Sequence, residues 1–302
     1  VKEIFYSLGG SDPIELIQVF SGGNNKAFKV TAGEKKFFLK HYFSKERQER
    51  ETLFLKHASG LSVPSLLFEG EGFNVLSFID GESVVKCEKN YIDQMLDFFN
   101  RLQKNVALPL ASEARFGIKG YIERIETRLH QLYGIEDYDE IQSLCSHFIN
   151  NDVIPAWNKE KEPLVKIDIF ESLEEKVVSP SDFGLHNALL TKNGLVFFDF
   201  EHAGLDDPIK VVLDFFYQPK IKIPEEYIPE VQSRILAKRD PSHLERLKLL
   251  FPVYRFIWIA IVLGEFTKQA SDRRNFAGVN EDIRTEQLDK ARKLLKNPIK
   301  IE

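Results

Sequence analysis

The hydrophobic period of this chain changes at Asp80-Gly81, and that change limits the folds open to it. Up to Asp80-Gly81 the apolar residues fall in short β-rich runs between glycine turns; beyond it they recur with helical spacing. The first runs are Ile14–Phe20, Ala27–Thr31 and Lys36–Phe43. The turns between them are Gly22-Gly23-Asn24-Asn25 and Ala32-Gly33-Glu34, so two hairpins in series are expected. Lys45–Ser59 has helical spacing with Gly60 just past its end, and Ser65–Phe68 and Phe73–Ile79 predict two further strands. After the break, Tyr91–Gln103, Tyr121–Leu132 and Tyr138–Asn150 predict helices. A non-helical island spans Val177–Phe200, and helical patterns resume from Ile209 to about Leu295. The expected fold class is α+β, with a small β-rich lobe at 1–80 and a larger, mainly helical lobe at 81–302. A lobe of this smaller size is marginal alone and is expected to pack on its neighbour.

Composition narrows the partners. Hydrophobic residues make up 43% and charged residues 29%, which suits an ordered globular chain. The net charge of -5 mixes both signs, without the basic patch or tail that marks a nucleic-acid binder. Cys87 and Cys145 are far apart, and neither C-x-x-C nor N-x-[ST] occurs, which suits a reduced, cytoplasmic setting. Val1–Gly10 has no apolar core of signal-peptide length. The most apolar stretch, Leu249–Phe266, contains Pro252, Arg255 and Gly264 and reads as a buried core helix, so no membrane partner is expected.

The chemistry is concentrated in Ser179-Pro180-Ser181-Asp182-Phe183-Gly184-Leu185-His186-Asn187 and Val196-Phe197-Phe198-Asp199-Phe200-Glu201. Short apolar runs flank Lys192-Asn193-Gly194, so the segment reads as a loop followed by a hairpin with Asp199 at its exit. Phosphoryl transfer to a hydroxyl needs one carboxylate to orient the nucleophile and take its proton. It also needs carboxylate and amide oxygens to hold Mg²⁺ against the phosphates. Asp182, Asn187 and Asp199 supply that set.

This spacing resembles the catalytic loop of the aminoglycoside phosphotransferase and choline kinase superfamily. There a His-Gly-Asp-x-x-x-x-Asn loop precedes an apolar strand ending in Ile-Asp-Trp/Phe-Glu. The match falls on Asp182, Asn187, Asp199 and Glu201. The resemblance implies a protein-kinase-like two-lobe fold, with ATP or GTP and Mg²⁺ as cofactors. In it Asp182 is the catalytic base, and Asn187 and Asp199 bind the metal. The implied reaction transfers the γ-phosphoryl group to a hydroxyl of a small molecule such as an aminoglycoside, a sugar or an amino alcohol. Pro180 stands where the family has its histidine, and Asp214 lies further beyond Asp206-Asp207-Pro208 than the family's anchoring aspartate does. The Asp182-Phe183-Gly184 tripeptide of protein kinases is a rival register. It fails because Asp168, the upstream candidate base, is followed five residues later by Leu173 instead of Asn.

The N-terminal lobe supplies the rest of the resemblance. Gly22, Gly23 and Asn24 would bring backbone N–H groups to the phosphates, although alone they are an ordinary hairpin turn. Lys40 would contact the phosphates and pair with a glutamate on the next helix. Glu51 is the choice for that glutamate, with Glu46 and Glu49 as rivals. Ser77, Phe78 and Ile79 would offer backbone groups to the base at the lobe boundary. His186 and His202 read as loop-packing residues, and Trp157 and Trp258 as core. H-E-x-x-H, G-x-S-x-G and the P-loop pattern are all absent. A nucleotide-binding scaffold without transferase activity is the alternative, supported by the missing histidine.

Overall fold

The computed structural model describes residues 2–19, 25–104, 107–133, 135, 139–167, 175–237, 239–278 and 282–301. In chain order the first elements are α1 (Lys2–Ser7), β1 (Ile14–Val19), β2 (Lys26–Ala32), β3 (Lys35–His41) and α2 (Lys45–His57). Next come β4 (Leu66–Gly70), β5 (Phe73–Ser77), β6 (Glu82–Ser83) and α3 (Lys89–Leu102). A helical stretch follows, with α4 (Gly117–His130), α5 (Glu140–Phe148) and α6 (Ile154–Lys161), the last two joined by a π-helical turn. Four short strands, β7 (Val177–Ser179), β8 (Ala188–Thr191), β9 (Gly194–Phe197) and β10 (Gly204–Asp206), precede the last helices. These are α7 (Pro208–Tyr217), α8 (Ile228–Ile235), α9 (Ser242–Leu263), α10 (Lys268–Ala277) and α11 (Arg284–Lys296).

The described residues form two compact units. One comprises 1–112, 178–205 and 272–280; the other comprises 113–177, 206–271 and 281–302. The first is built on an antiparallel sheet in the order β1-β2-β3-β5-β4. Alternation along the strands decides what each face carries. Val30 and Ala32 of β2, Phe37 and Leu39 of β3, and Val75 of β5 bury one face with Phe5 of α1. The opposite face carries Lys40 and its register partner Asn74. There Asn74 donates to Thr52 of α2 at 2.8 Å and to Tyr42 Oη at 3.1 Å. Helix α2 starts at an N-cap, Ser44, whose hydroxyl accepts from the Arg47 N–H. The β6-β8-β9 sheet holds the hairpin of the 177–200 segment. Gly194, at φ 106°, closes its turn in a conformation that only glycine adopts without strain.

The expected strands, the helix after the first three and the hairpin are all present, with described ends shifted by at most two residues. Helices α1 and α6 have no counterpart in the sequence reading. The second unit is helical and centred on α9, which packs on α4, α7 and α11. With the turn through Phe266, α9 is apolar and long enough to cross a bilayer, yet most of it is buried within this unit. Its two buried arginines are paired, Arg246 with Asp207 at 2.8 Å and Arg255 with Glu160 at 2.5 Å.

Candidate active site

Lys40, Glu51, Asp182, Asn187 and Asp199 all lie in the first unit. Strand β3 points Lys40 at α2, where its Nζ lies 2.6 Å from Glu51 Oε2 and 2.6 Å from Asp199 Oδ1. Glu51 is 2% exposed, and its other oxygen accepts from the Phe200 N–H at 3.2 Å. The two rival glutamates face elsewhere: Glu46 pairs with Arg50 and Glu49 with Lys45. Burial alone would lower the Lys40 pKa, but Asp199 and then Glu51 outweigh it and hold the ammonium well above its ordinary value. Burial also raises Glu51, against the pull of Lys40.

The hairpin fixes the other groups. Phe198 N–H donates to the Asn187 carbonyl at 3.0 Å, one step beyond the Ala188–Phe197 pair, so Asn187 and Asp199 share the open end of β8–β9. Asn187 Nδ2 donates to the Asp182 carbonyl at 3.1 Å and to Asp182 Oδ2 at 3.3 Å. Asp199 remains 37% exposed. Among the described residues, the non-glycine residues with positive φ are Ser181 at 51°, Asp182 at 28° and Asp199 at 68°. Such conformations cost ~1–3 kcal/mol each and persist where the surroundings impose them, commonly at functional sites.

A model of the phosphotransferase enzyme family matches residues 15–210. The chain belongs to that family. Spectinomycin phosphotransferase, solved with ADP and spectinomycin, is 14% identical at a TM-score of 0.63, covering 98% of this chain and 93% of that one. Choline kinase from Streptococcus pneumoniae is 15% identical at 0.58, covering 98% and 97%. An amicoumacin kinase bound to AMP-PNP and Ca²⁺ is 15% identical at 0.55, covering 98% and 94%. At these identities the likeness shows a shared kinase-like α+β fold. No curated protein sequence matches significantly.

In this phosphotransferase the remaining expected positions divide. Gly22, Gly23 and Asn24 lie outside the described residues. Ser77 ends β5 and its N–H is taken by the Ser65 carbonyl at 2.9 Å, so the amides past the strand end are those of Phe78 and Ile79. Asp214 is buried in the second unit, where it pairs with Lys210 at 2.6 Å and accepts from Tyr254 at 2.6 Å.

A clamp around Glu201 went unread in the sequence. Its carboxylate meets Arg47 of α2 at 2.6 Å, Asn25 Nδ2 at 2.5 Å and His202 at 3.4 Å. Burial would raise its pKa, yet the His202 hydrogen bond, then Lys40 and Arg47, hold it well below the ordinary glutamate range. Asn25 in turn accepts from Phe43 N–H at 3.1 Å. Arg50 and Glu51 follow Arg47 on one face of α2, bonding the Ala203 carbonyl and the Phe200 amide, so the helix grips residues 200–203 along one turn. Nothing in the sequence ties Arg47 to Glu201, because Arg47 is one of several charges on a polar helix.

Proposed function

We propose that this phosphotransferase is an ATP- or GTP-dependent kinase that moves the γ-phosphoryl group to a hydroxyl of a small molecule. The observation that carries the reading is the convergence of Lys40 on Glu51 and Asp199, with Asn187 bonded to Asp182 at the same hairpin. In this reading Asp182 takes the acceptor's proton as its oxygen bonds to the γ-phosphorus and the bond to the leaving diphosphate breaks. Lys40 meets the phosphates, with Gly22, Gly23 and Asn24 supplying backbone amides and Phe78 and Ile79 facing the base. Residues 1–80 form the nucleotide-binding lobe, and 81–302 carry the catalytic loop and the acceptor site.

The donor set suits Mg²⁺. The Asn187 Nδ2 is turned to Asp182, so the Asn187 amide oxygen lies on the other side of its side chain, and Asp199 is partly open. No group of three or more His, Cys, Asp or Glu among the described residues could hold a metal. An ion here would therefore take its other ligands from phosphate and water, as Mg²⁺ prefers. When bound it would neutralise charge on the transferring phosphate.

The acceptor is an aminoglycoside-like compound, a sugar or an amino alcohol. The nucleotide complexes of the spectinomycin and amicoumacin kinases support this class, as does the choline kinase likeness. The cytoplasm, where nucleotide triphosphate is supplied, is the proposed location, and both cysteines stand as free thiols. A scaffold that binds nucleotide without transfer has only Pro180 in its favour. The deciding measurement is Mg-ATP stabilisation by thermal shift in wild type and Asp199→Ala, followed by phosphotransfer to sugars, amino alcohols and aminoglycosides. Stabilisation lost in Asp199→Ala, and turnover lost in Asp182→Asn by roughly 10²–10⁴-fold, are expected. Stabilisation without any turnover would favour the scaffold, and no stabilisation by millimolar ATP or GTP would reject the nucleotide site.

A further inference from the structure

His186 stands between the two functional residues of the catalytic loop, and packing does not explain where its ring points. The residues 185–187 form a single 3₁₀ turn, closed by Asn187 N–H donating to the Gly184 carbonyl at 3.0 Å. That turn brings His186 back over Asp182, with Nε2 3.4 Å from Asp182 Oδ2. The imidazole is 8% exposed, and its Nδ1 is buried without a hydrogen-bond partner. A carboxylate can only accept, so Nε2 carries the hydrogen. Nδ1 has no hydrogen-bond partner, so the ring's contact with Asp182 runs through Nε2–H.

We propose that His186 is a positioning residue for Asp182, serving from four residues downstream where Pro180 leaves no histidine two residues upstream. The inference rests on the reading of Asp182 as the base. Asp182 Oδ2 receives two side-chain donors, His186 Nε2 and Asn187 Nδ2. Two donors on one oxygen fix the rotation of the carboxylate and aim the other oxygen. Asp182 and Ser181 both sit at positive φ, a strained backbone that the surrounding contacts must hold. The separation is long for a charge-assisted bond, as catalytic hydrogen bonds often are before substrate tightens them.

The test uses the full chain and Mg-ATP, with water as the phosphoryl acceptor, in wild type, Asp182→Asn, His186→Leu and His186→Gln. His186→Leu should lower kcat by roughly 10- to 100-fold, the effect of losing one hydrogen bond to a charged group, with the KM for ATP unchanged. His186→Gln, whose amide can still donate, should recover most of that loss, and His186→Leu should cost nothing further on top of Asp182→Asn. Wild-type kcat in His186→Leu, equal losses in both His186 variants, or losses that multiply with Asp182→Asn would each overturn the role. An Asp182→Asn variant that keeps its turnover would instead overturn the reading of the base. A second readout needs no turnover: imidazole ¹⁵N spectra, with the His186 signal identified by its absence in His186→Gln. The Nε2–H tautomer is expected in wild type and should be lost in Asp182→Ala; an unchanged His186 signal in that variant rejects the contact.

Discussion

At the scale of single residues, the site concentrates cost. Asp199 holds a left-handed backbone at φ 68° and shares Lys40 with a buried glutamate. A left-handed conformation costs an ordinary residue ~1–2 kcal/mol, whereas glycine's unfolded chain gives back ~0.4–1. Asp199→Gly should therefore be more stable than Asp199→Ala by a few tenths to ~1 kcal/mol, reversing the usual order, although both lose Mg-ATP stabilisation. Urea midpoints of the two variants check it, and the ordinary order would mean that the backbone relaxes. Lys40→Met leaves Glu51 as a buried charge facing apolar atoms, a loss of ~3–5 kcal/mol. Adding Glu51→Gln should recover part of that stability without activity, since the glutamine can still accept from Phe200 N–H. A double variant no more stable than Lys40→Met would place the cost elsewhere. The sequence shows Lys40 by its place in an aromatic strand and prefers Glu51 as its partner, but leaves Glu46 and Glu49 as rivals. The buried face of α2 includes Gln48, Glu51 and Thr52, so its apolar pattern is too weak to show which glutamate faces inward.

At the scale of elements, the hairpin that leads to Asp199 is held by aromatic contacts from α2 and α3. Phe200, next to Asp199, stacks on Phe54 of α2 at 4.4 Å between ring centroids. Phe98 of α3 lies 4.6 Å from Phe197 and 5.9 Å from Phe183, the residue after Asp182. Asp182 and Asp199 are thus each followed by a buried phenylalanine that packs against a helix. Phe98→Ala should cost ~3–5 kcal/mol and, by loosening both anchors, weaken Mg-ATP stabilisation more than an equally destabilising change in the second unit, such as Phe251→Ala. Equal loss of Mg-ATP stabilisation in the two variants would show that the anchors act on stability alone. The hairpin was legible because its turn chemistry and alternating apolar residues are local. Helix α1 was not, since six residues with one buried side chain, Phe5, carry no period to read. Helix α6 was lost for a related reason: it continues α5 through a π turn that breaks the helical phase.

At the scale of the molecule, the two units interleave along the chain, so no compositional seam marks them. Residues 272–280 return to the first unit, where Phe276 meets His41 and Phe43 at 5.5 Å each and the Ala277 carbonyl accepts from Gln18 at 3.0 Å. Sequence cannot show such returns, because their partners are over two hundred positions away. The second unit instead stores charge. Asp207 caps α7 through the Ile209 amide at 2.9 Å and faces Arg246 at 2.8 Å, both fully buried. Burial pushes its carboxyl up to about 7; Arg246 opposes this and Asp206 adds to it. A carboxyl raised above its unfolded value near ~3.9 binds more protons in the folded chain across that interval. Its stabilisation is full below the unfolded pKa and is lost as pH rises through about 7. Asp207→Asn keeps the cap but cannot titrate, so it isolates this contribution. The stability of wild type relative to Asp207→Asn should fall by up to ~1.4 kcal/mol per pH unit between roughly pH 4 and 7, then stay level. Urea unfolding of both proteins from pH 5 to 8 reads the difference directly. A gap that is flat across that range would mean that Arg246 outweighs burial and keeps Asp207 ionised. The unit would then be held by a buried ion pair, and Arg246→Met should unfold it more readily than Asp207→Asn does.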